Sequence, residues 1–345
     1  MTTKTAVYVA LLAIAALLSW ALTIVVRRYA IASQLMDRPN DRSAHRVPTP
    51  RGGGLAIVAS FLSIMLGLGI TGWVDKSLCS AVLVGGGLVA LLGFIDDRRT
   101  LAARWRFAGH AAAVAWMLYL AGPLPPVPFF GLALKLGPAT VLLVGIYTVW
   151  SINLLNFMDG IDGIAGLQAV TVALGGSLIW WLVQPDADWQ VPLLFAACVL
   201  GFLFWNFPPA RIFMGDAGSG FLGFVLALFS VWSARTAPHL FWAWFILGGC
   251  FMVDATTTLV RRVARGERFH EAHRNHAYQY AARRLGSHKT VTLALFAINV
   301  LWLLPFAVAV ALRWVDGTLA LVIAYIPLVY LAFRFKAGNR VAQES

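Results

Sequence analysis

Long apolar stretches follow one another along almost the whole of this chain, and they constrain its fold more than any other feature. A helix that crosses a bilayer needs about 20 apolar residues, which predicts about eleven transmembrane spans. Their approximate bounds are 6–26, 52–71, 78–95, 105–122, 138–155, 164–183, 191–206, 219–233, 239–260, 290–311 and 318–333. Only 12% of the residues are charged, whereas soluble domains carry about 25%. The sequence therefore predicts an all-α integral membrane protein, with residues 1–345 forming one polytopic domain.

The distribution of basic residues predicts the orientation of these spans. Most of the 27 Lys and Arg residues lie in one alternating set of loops and in the C-terminal tail. The opposite side keeps only Lys4, Lys76, Lys135, Arg235 and Arg313. Cytoplasmic loops are enriched in Lys and Arg, so we expect the N-terminus outside and the C-terminus in the cytoplasm. Topology also accounts for the net charge of +12, and we expect no nucleic-acid partner.

Acidic residues gather where the apolar stretches break on the cytoplasmic side. The chain has only 15 acidic residues, and a third of them lie at three such breaks. These residues are Asp96, Asp97, Asp159, Asp162 and Asp216. Carboxylates that converge at one membrane face form a site for a hard cation, and Mg²⁺ in such a site indicates phosphate chemistry. We therefore expect a catalytic cleft at the cytoplasmic face.

The first acidic break contains two adjacent carboxylates, Asp96 and Asp97. Adjacent residues on a helix point about 100° apart, so we expect the pair to divide roles rather than bind one ion together. The alternative is a solvated pair that Arg98 and Arg99 neutralise.

The second acidic break has polar residues at steps of three, namely Asn153, Asn156, Asp159 and Asp162. They would form one stripe on a tight 3₁₀-like turn, whereas on an α-helix the stripe drifts from step to step. No Lys or Arg lies between residues 156 and 163. We therefore expect these carboxylates to lack local basic partners.

A basic loop before the second span ends in Gly52–Gly54. Backbone N–H groups at a helix start suit an anion, and Arg46 and Arg51 would add positive charge for a phosphate. An ordinary cytoplasmic loop with helix-packing glycines explains the same residues equally well.

Asp216 lies where we expect another helix to begin, which is a geometry that suits phosphate or metal. Capping of that helix by Asp216 or Ser219 is the alternative. On the opposite side of the membrane, residues 123–137 predict a turn or a small hairpin with Gly131 at its bend.

The longest polar stretch, residues 261–289, contains four histidines, and spacings of three among them indicate one helical face. They are His270, His273, His276 and His288. No cysteine accompanies them, which argues against zinc and favours contact with a diphosphate. A surface role for each single histidine remains an equal alternative.

Together these segments resemble the polyprenyl-phosphate N-acetylhexosamine-1-phosphate transferase family, over essentially the whole chain. The resemblance rests on Pro48–Gly54, Asp96–Asp97, Asn153–Gly163, Phe213–Ser219 and the late histidine loop, in that order. It implies transfer of a sugar 1-phosphate from a UDP-N-acetylhexosamine to undecaprenyl phosphate, with release of UMP. It also implies a multi-helix fold in the bacterial inner membrane and dependence on Mg²⁺, or on Mn²⁺ in its place.

The resemblance further implies roles for individual residues. Asp216 is the main Mg²⁺ ligand, and Asp96 and Asp97 lie beside the lipid phosphate, with Asp96 as base or activator. The other implied catalytic residues are Asp159, Asp162 and His276. The implied substrate-binding residues are Arg46, Arg51, Asn153, Asn156, Asn206, Phe213, His273 and Arg274, with Asn206 and Phe213 near the uracil or ribose.

The chain departs from the family at its histidine motif, which reads His273-Arg-Asn-His-Ala-Tyr-Gln279. This variation resembles members that start O-antigen chains with modified sugars such as N-acetylfucosamine or N-acetylquinovosamine.

Three alternatives stay open at this level. Direct attack by the lipid phosphate and a covalent intermediate on Asp97 both fit the residues, with direct attack favoured. A transporter or flippase with acidic coupling residues is the rival function, and Asp254 inside the ninth span is its best candidate. The apolar surfaces do not separate a homodimer interface from contact with the lipid bilayer.

Overall fold

A computed structural model of the chain describes residues 3–37, 47–267 and 275–339. These ranges are mainly helical, with two short π-helical segments and two small antiparallel sheets. The helices are α1 Thr3–Ala32, α2 Gly54–Ile70, α3 Lys76–Ser80, α4 Gly87–Arg98, α5 Ala103–Ala121, α6 Pro138–Phe157, α7 Ile164–Val183, α8 Gln190–Asn206, α9 Asp216–Thr236, α10 Leu240–Leu247, α11 Gly249–Ala264, α12 Ala277–Leu285, α13 His288–Ile298, α14 Leu304–Ala311 and α15 Gly317–Arg334. The π-helical segments are Ala81–Gly86 and Asn299–Leu303, and the strands are β1 Met36–Asp37, β2 Thr49–Pro50, β3 Val127–Phe129 and β4 Leu132–Leu134.

The described ranges contain seven helical stretches long and apolar enough to cross a membrane, or eight if the bent pair α10–α11 is one span. The apolar helices α2 and α8 are shorter, at 17 residues each. A helix lies at every predicted span, and the prediction of an all-α, multi-pass membrane protein is confirmed. Eleven crossings and the N-terminus-outside orientation remain predictions.

The ninth predicted span, residues 239–260, is bent rather than one straight helix. The axes of α10 and α11 differ by 73° across the break at Gly248. Adjacent glycines weaken a helix at such a point, because neither residue contributes side-chain packing. A side chain on Gly249 would also crowd Tyr325 and Leu328 at about 3 Å. The bend lets α11 carry Asp254 towards the end of the bundle where the predicted site lies.

Helix α9 forms the centre of the bundle and is the most completely buried span. Aromatic rings from α2, α8 and α9 meet there, with Phe61 5.1 Å from Phe195 and Phe229 5.8 Å from Phe195 between ring centroids. Glycine allows the neighbouring helices to approach closely, as is common in membrane bundles. A Cβ on Gly223 would lie 2.3 Å from the carbonyl oxygen of Ser151 in α6. This packing fixes the start of α9 beside the end of α6.

The predicted hairpin at residues 123–137 is confirmed. Strands β3 and β4 pair antiparallel, with Phe129 opposite Leu132. Phe130 and Gly131 form the turn, and both have positive φ values, 46° and 76°. Two positive φ values are the requirement of the type I′ turn that matches the twist of paired strands.

Candidate active site

Three groups of predicted site residues meet at the N-terminus of α9. The carboxylate of Asp97, at the end of α4, accepts hydrogen bonds from the backbone N–H groups of Asp216 at 3.1 Å and Ala217 at 3.3 Å. The side chain of Asn156, at the end of α6, donates to Ser219 Oγ at 3.1 Å. The ends of α4 and α6 therefore lie against the first turn of α9. The three acidic breaks thus converge, as predicted.

Asp97 is buried and caps α9 from a position 119 residues away in sequence. A carboxylate is stabilised at a helix N-terminus, where unpaired N–H groups carry partial positive charge. The guanidinium of Arg51 forms an ion pair with the same carboxylate. Helix α9 does begin at Asp216, as predicted, but the cap that the alternative interpretation assigned to Asp216 or Ser219 is supplied by Asp97. Sequence spacing alone contains no signal for a cap so distant.

Asp96 points away from its neighbour, as the helix geometry predicted. Its carboxylate accepts from the backbone N–H of Leu101 at 2.6 Å and from Arg106 Nη1 at 2.8 Å. The neutralising partners of the acidic pair are thus Arg51 and Arg106, not Arg98 and Arg99. Arg98 instead lies over the ring of Phe94, 4.3 Å from its centroid.

The four polar residues of the second acidic break, which begin at Asn153, do not form the single 3₁₀-like stripe that their spacing indicated. Helix α6 ends at Phe157, so Asn153 and Asn156 lie on regular helix and the two aspartates lie on the following turn. The amide of Asn153 donates to the carbonyl of Val149 within its own helix, at 2.7 Å. Of the two asparagines, Asn156 is the one whose side chain hydrogen-bonds to α9.

Asp159 experiences the strongest electrostatic strain described in the turn. Burial, together with the nearby carboxylates of Asp216, Asp97 and Asp162, raises the pKa of its carboxyl to about 7. Like charges and desolvation both disfavour the ionised form of an acid. The turn therefore holds negative charge in excess, as the absence of Lys and Arg in the segment predicted.

Two contacts join this turn to the loop that connects α8 and α9, residues 207–215. Asp162 Oδ2 accepts from the backbone N–H of Ala210 at 3.0 Å. Asn206 is buried; its Oδ1 accepts from the N–H of Gly163 at 3.1 Å, and its Nδ2 donates to the carbonyl of Ile212 at 3.0 Å. The structure thus places Asn206 between the two loops, with both amide atoms bonded to backbone. Its predicted contact with uracil or ribose remains a prediction.

The expectation that Gly52–Gly54 offers free N–H groups to an anion is wrong for two of the three residues. The N–H groups of Gly53 and Gly54 donate to the carbonyls of Phe213 and Met214, at 2.9 and 2.8 Å. A Cβ on Gly54 would lie 2.3 Å from Gly218 Cα. These glycines serve close packing of α2 on α9, which was the alternative interpretation. The backbone pairing also brings Phe213 beside the strand that leads to Arg51.

His276 is buried and precedes α12 with extended backbone, so it does not share the face of that helix. Its Nδ1 lies 3.3 Å from Asp254 Oδ1. Asp254 also accepts from the N–H groups of Ala277 and Tyr278, at 2.9 and 3.0 Å. Asp254 therefore caps α12. This structural role explains why an acidic residue lies in the ninth predicted span, without the transport function for which Asp254 was the best candidate.

Helix α12 reaches the acidic turn through Tyr278, whose hydroxyl donates to the carbonyl of Phe157 at 3.3 Å. A Cβ on Gly160 would lie 2.2 Å from that hydroxyl, so this position of the turn requires glycine. Sequence reasoning did not single out Tyr278. The predicted site residues Arg46, His273 and Arg274 lie outside the described residues.

Among residues 3–37, 47–267 and 275–339, no group of three His, Cys, Asp or Glu side chains has the arrangement of a metal site. Mg²⁺ is commonly bound by one or two carboxylates, with substrate phosphates and water completing its shell. The crowded carboxylates of Asp159 and Asp216 fit that kind of partial site, because a cation would offset the repulsion that raises the pKa of Asp159.

The described residues form a membrane helix bundle with aspartates gathered at one end, and sequence comparison identifies the family. The family described as Glycosyl transferase family 4 matches residues 79–234, a stretch that contains all five aspartates of the acidic breaks. The chain is 30% identical over 324 residues to a probable undecaprenyl-phosphate N-acetylglucosaminyl 1-phosphate transferase of Bacillus subtilis, covering 90% of this chain and 86% of the relative.

Two further relatives agree with this match. A decaprenyl-phosphate N-acetylglucosaminephosphotransferase of Mycobacterium tuberculosis is 31% identical over 322 residues, covering 82% of this chain and 77% of the relative. A phospho-N-acetylmuramoyl-pentapeptide-transferase of Thermotoga neapolitana is 32% identical over 215 residues, covering 59% and 67%. The chain belongs to glycosyl transferase family 4, and the family resemblance of its motifs is confirmed.

Proposed function

We propose that this protein transfers N-acetylhexosamine 1-phosphate from a UDP-sugar to undecaprenyl phosphate. The observation that carries the proposal is the convergence of Asp97, Asp159 and Asp216 at the N-terminus of α9. The names of the Bacillus and Mycobacterium relatives support a polyprenyl-phosphate acceptor and an N-acetylated amino sugar. Neither name identifies the donor of this chain.

In the proposed reaction an oxygen of the lipid phosphate forms a bond to the sugar-bearing phosphorus of the donor. The bond from that phosphorus to the bridging oxygen breaks, and UMP leaves with the oxygen. Such a displacement depends mainly on positioning and on neutralising charge. Arg51 supplies positive charge at the start of α9, held there by Asp97. Asp96, fixed by Arg106 and the N–H of Leu101, would activate or orient the lipid phosphate.

Asp216 would hold Mg²⁺, with Asp159 as a second carboxylate. When bound, the cation would neutralise the diphosphate and stabilise the charge that develops on it. The protein's own contribution is a rigid frame, because Asn156 bonds the first turn of α9 and Asp97 caps it. Direct attack remains our preferred mechanism over a covalent intermediate on Asp97, since that carboxylate is already occupied by Arg51 and two N–H groups.

The excess of basic residues in the loops on the same side as the aspartates supports a cytoplasmic active site in a bacterial inner membrane. The variant histidine motif supports a donor such as UDP-N-acetylfucosamine or UDP-N-acetylquinovosamine and a role in starting O-antigen synthesis. UDP-N-acetylglucosamine is the alternative donor that the names of the relatives favour.

Release of UMP by the purified protein tests the proposal, with undecaprenyl phosphate, Mg²⁺ and a panel of UDP-N-acetylhexosamines. Asp216→Ala should abolish turnover, whereas Asp188→Asn should not. Asp188 is a matched carboxylate at the opposite end of α7 from the acidic turn, where it accepts from the N–H of Asp75 at 3.2 Å. No UMP from any donor, with folded protein, would contradict the proposal and reopen transport.

A further inference from the structure

His288 contacts the acidic turn, although its spacing predicted no role separate from that of the other late histidines. It is the first residue of α13, and its Nδ1 lies 3.2 Å from Asp162 Oδ1. An ionised carboxylate only accepts hydrogen bonds, so the imidazole is the group that can donate across this contact. Both side chains are mostly buried, with 22% of the His288 side chain and 13% of the Asp162 side chain exposed. Such a contact is shielded from solvent more than a surface pair.

Helix α13 holds residue 162 at a second point. Thr292, one turn further along α13 and fully buried, donates from its hydroxyl to the carbonyl of Asp162 at 3.0 Å. The other carboxylate oxygen of Asp162 accepts from the N–H of Ala210. Asp162 therefore joins three parts of the chain: the acidic turn, the start of α13 and the loop that leads to Asp216.

The position of His288 also matters electrically. Between residues 156 and 163 the chain has no Lys or Arg, and the carboxylate of Asp162 contributes to the raised pKa of Asp159. The His288 imidazole holds the Asp162 carboxylate in one rotamer. It also weakens the repulsion between the Asp162 and Asp159 carboxylates. Without the imidazole, repulsion from the neighbouring carboxylates would favour other rotamers of the Asp162 side chain.

We propose that His288 is a positioning residue of the donor site, which orients Asp162, and through Ala210 the loop 207–215, for binding the nucleotide diphosphate of the UDP-sugar. This inference rests on the proposed function for the identity of the donor. The contact network assigns the effect to donor binding, because the loop held by Asp162 carries Phe213 and ends at Asp216. Asp96, the predicted activator of the lipid phosphate, is held instead by Arg106 and the N–H of Leu101.

The test compares His288→Ala, His288→Asn and His288→Gln with the wild-type protein. Measurements are kcat, KM for the UDP-sugar, KM for undecaprenyl phosphate, and Kd for UMP by calorimetry. Loss of this mostly buried polar contact to a charged group should raise KM for the donor and Kd for UMP about tenfold in His288→Ala. KM for the lipid should stay within about twofold, since its contacts remain intact. His288→Asn should restore donor binding, because its amide nitrogen can occupy the place of Nδ1, and His288→Gln should restore less.

His239→Asn is the matched control. His239 is likewise at a helix start, directly before α10, and its ring Nε2 lies 3.2 Å from the carbonyl oxygen of Ala311, but it lies at the opposite end of the bundle. Melting temperatures separate folding defects from binding defects. Unchanged donor KM and UMP Kd in His288→Ala, or equal losses in His288→Asn, would overturn the inference while leaving the transferase function standing.

The two proposals fail in different ways. If the wild-type protein binds UMP but produces no lipid-linked product with any donor, the proposed function is contradicted, and the UMP affinity of the variants still decides the role of His288. If the wild-type protein binds no uridine nucleotide, both proposals are overturned.

Discussion

Two carboxylates each cap a helix near the same end of the bundle, Asp97 on α9 and Asp254 on α12, and their surroundings differ. Asp254 accepts from two N–H groups and from the hydroxyl of Thr258 at 3.2 Å, with His276 beside it. Asp97 is similarly satisfied, but it lies among further carboxylates, which add to the effect of burial in raising the pKa of Asp159. A buried acid with enough donors stabilises the fold, whereas acids that crowd each other indicate a site for a cation.

The largest effect that would separate the two regions is on catalysis. Asp216→Asn should lower turnover by at least about 10²-fold, comparable with removal of one strong electrostatic contact to a transition state. Its melting temperature should not fall, because the Asn side chain relieves repulsion. Near-wild-type UMP release by this variant would show that Asp216 is not needed for catalysis.

The region around Asp254 should respond in the opposite way. Asp254→Ala leaves buried N–H groups of α12 without an acceptor, which should cost about 1–3 kcal/mol of unfolding free energy. Thermal unfolding in detergent measures the loss. Turnover per folded molecule should fall far less than in Asp216→Asn. An equal loss of turnover without any loss of stability would place Asp254 in the catalytic machinery instead.

Close packing under the acidic centre gives a third, smaller effect. A Cβ on Gly93 would lie 2.5 Å from the backbone of Asp216 and Ala217, while one on Gly87 would meet only Leu62, at 3.9 Å. Gly93→Ala should therefore lower the unfolding free energy by about 1–3 kcal/mol, as overpacking does. Gly87→Ala on the same helix is the control, and it should be neutral or slightly stabilising. Equal melting temperatures for the two variants would contradict the close approach of α4 and α9.

The fourth effect depends on pH. The folded-state pKa of Asp159, about 7, is above its ordinary value of 3.8, so the folded protein holds this proton more tightly than the unfolded chain. Stability from this group therefore falls as pH rises from about 4 to about 7, and the loss is complete above pH 7. Asp159→Asn removes the loss, so its melting temperature should exceed that of the wild type increasingly over this range.

Mg²⁺ sharpens this pH comparison, because a bound cation offsets the same repulsion. The advantage of Asp159→Asn at pH 8 should shrink when Mg²⁺ is added. An advantage that is equal at pH 4 and pH 8 would show that the carboxylates do not interact as described.

The sequence predicted the helices and the gathering of the aspartates, because apolar length and polar breaks are local signals. It also predicted that Asp96 and Asp97 point apart, since that follows from helix geometry alone. It did not predict that Asp97 caps α9 across 119 residues, because a cap supplied through tertiary packing leaves no trace in local spacing. The use of Gly53 and Gly54 for pairing with residues 213 and 214 was hidden for the same reason.

The break at Gly248 was missed for a different cause. The residues before and after Gly248 are apolar, so composition alone predicts one span. The axes of α10 and α11 nevertheless differ by 73°. Only the packing of Gly249 against α15 distinguishes a bend from a straight crossing.

The central claim is that a sugar-bearing phosphoryl group moves to a lipid at the acidic centre of α9. The most direct test follows a UDP-sugar labelled at the phosphorus next to the sugar, incubated with undecaprenyl phosphate and Mg²⁺, and partitions the products between water and organic solvent. We expect the label to enter the organic phase. We also expect Asp216→Asn to abolish this transfer and Asp188→Asn to preserve it. Label that remains in water as UDP while sugar reaches the lipid would contradict the account, as would undiminished transfer by Asp216→Asn.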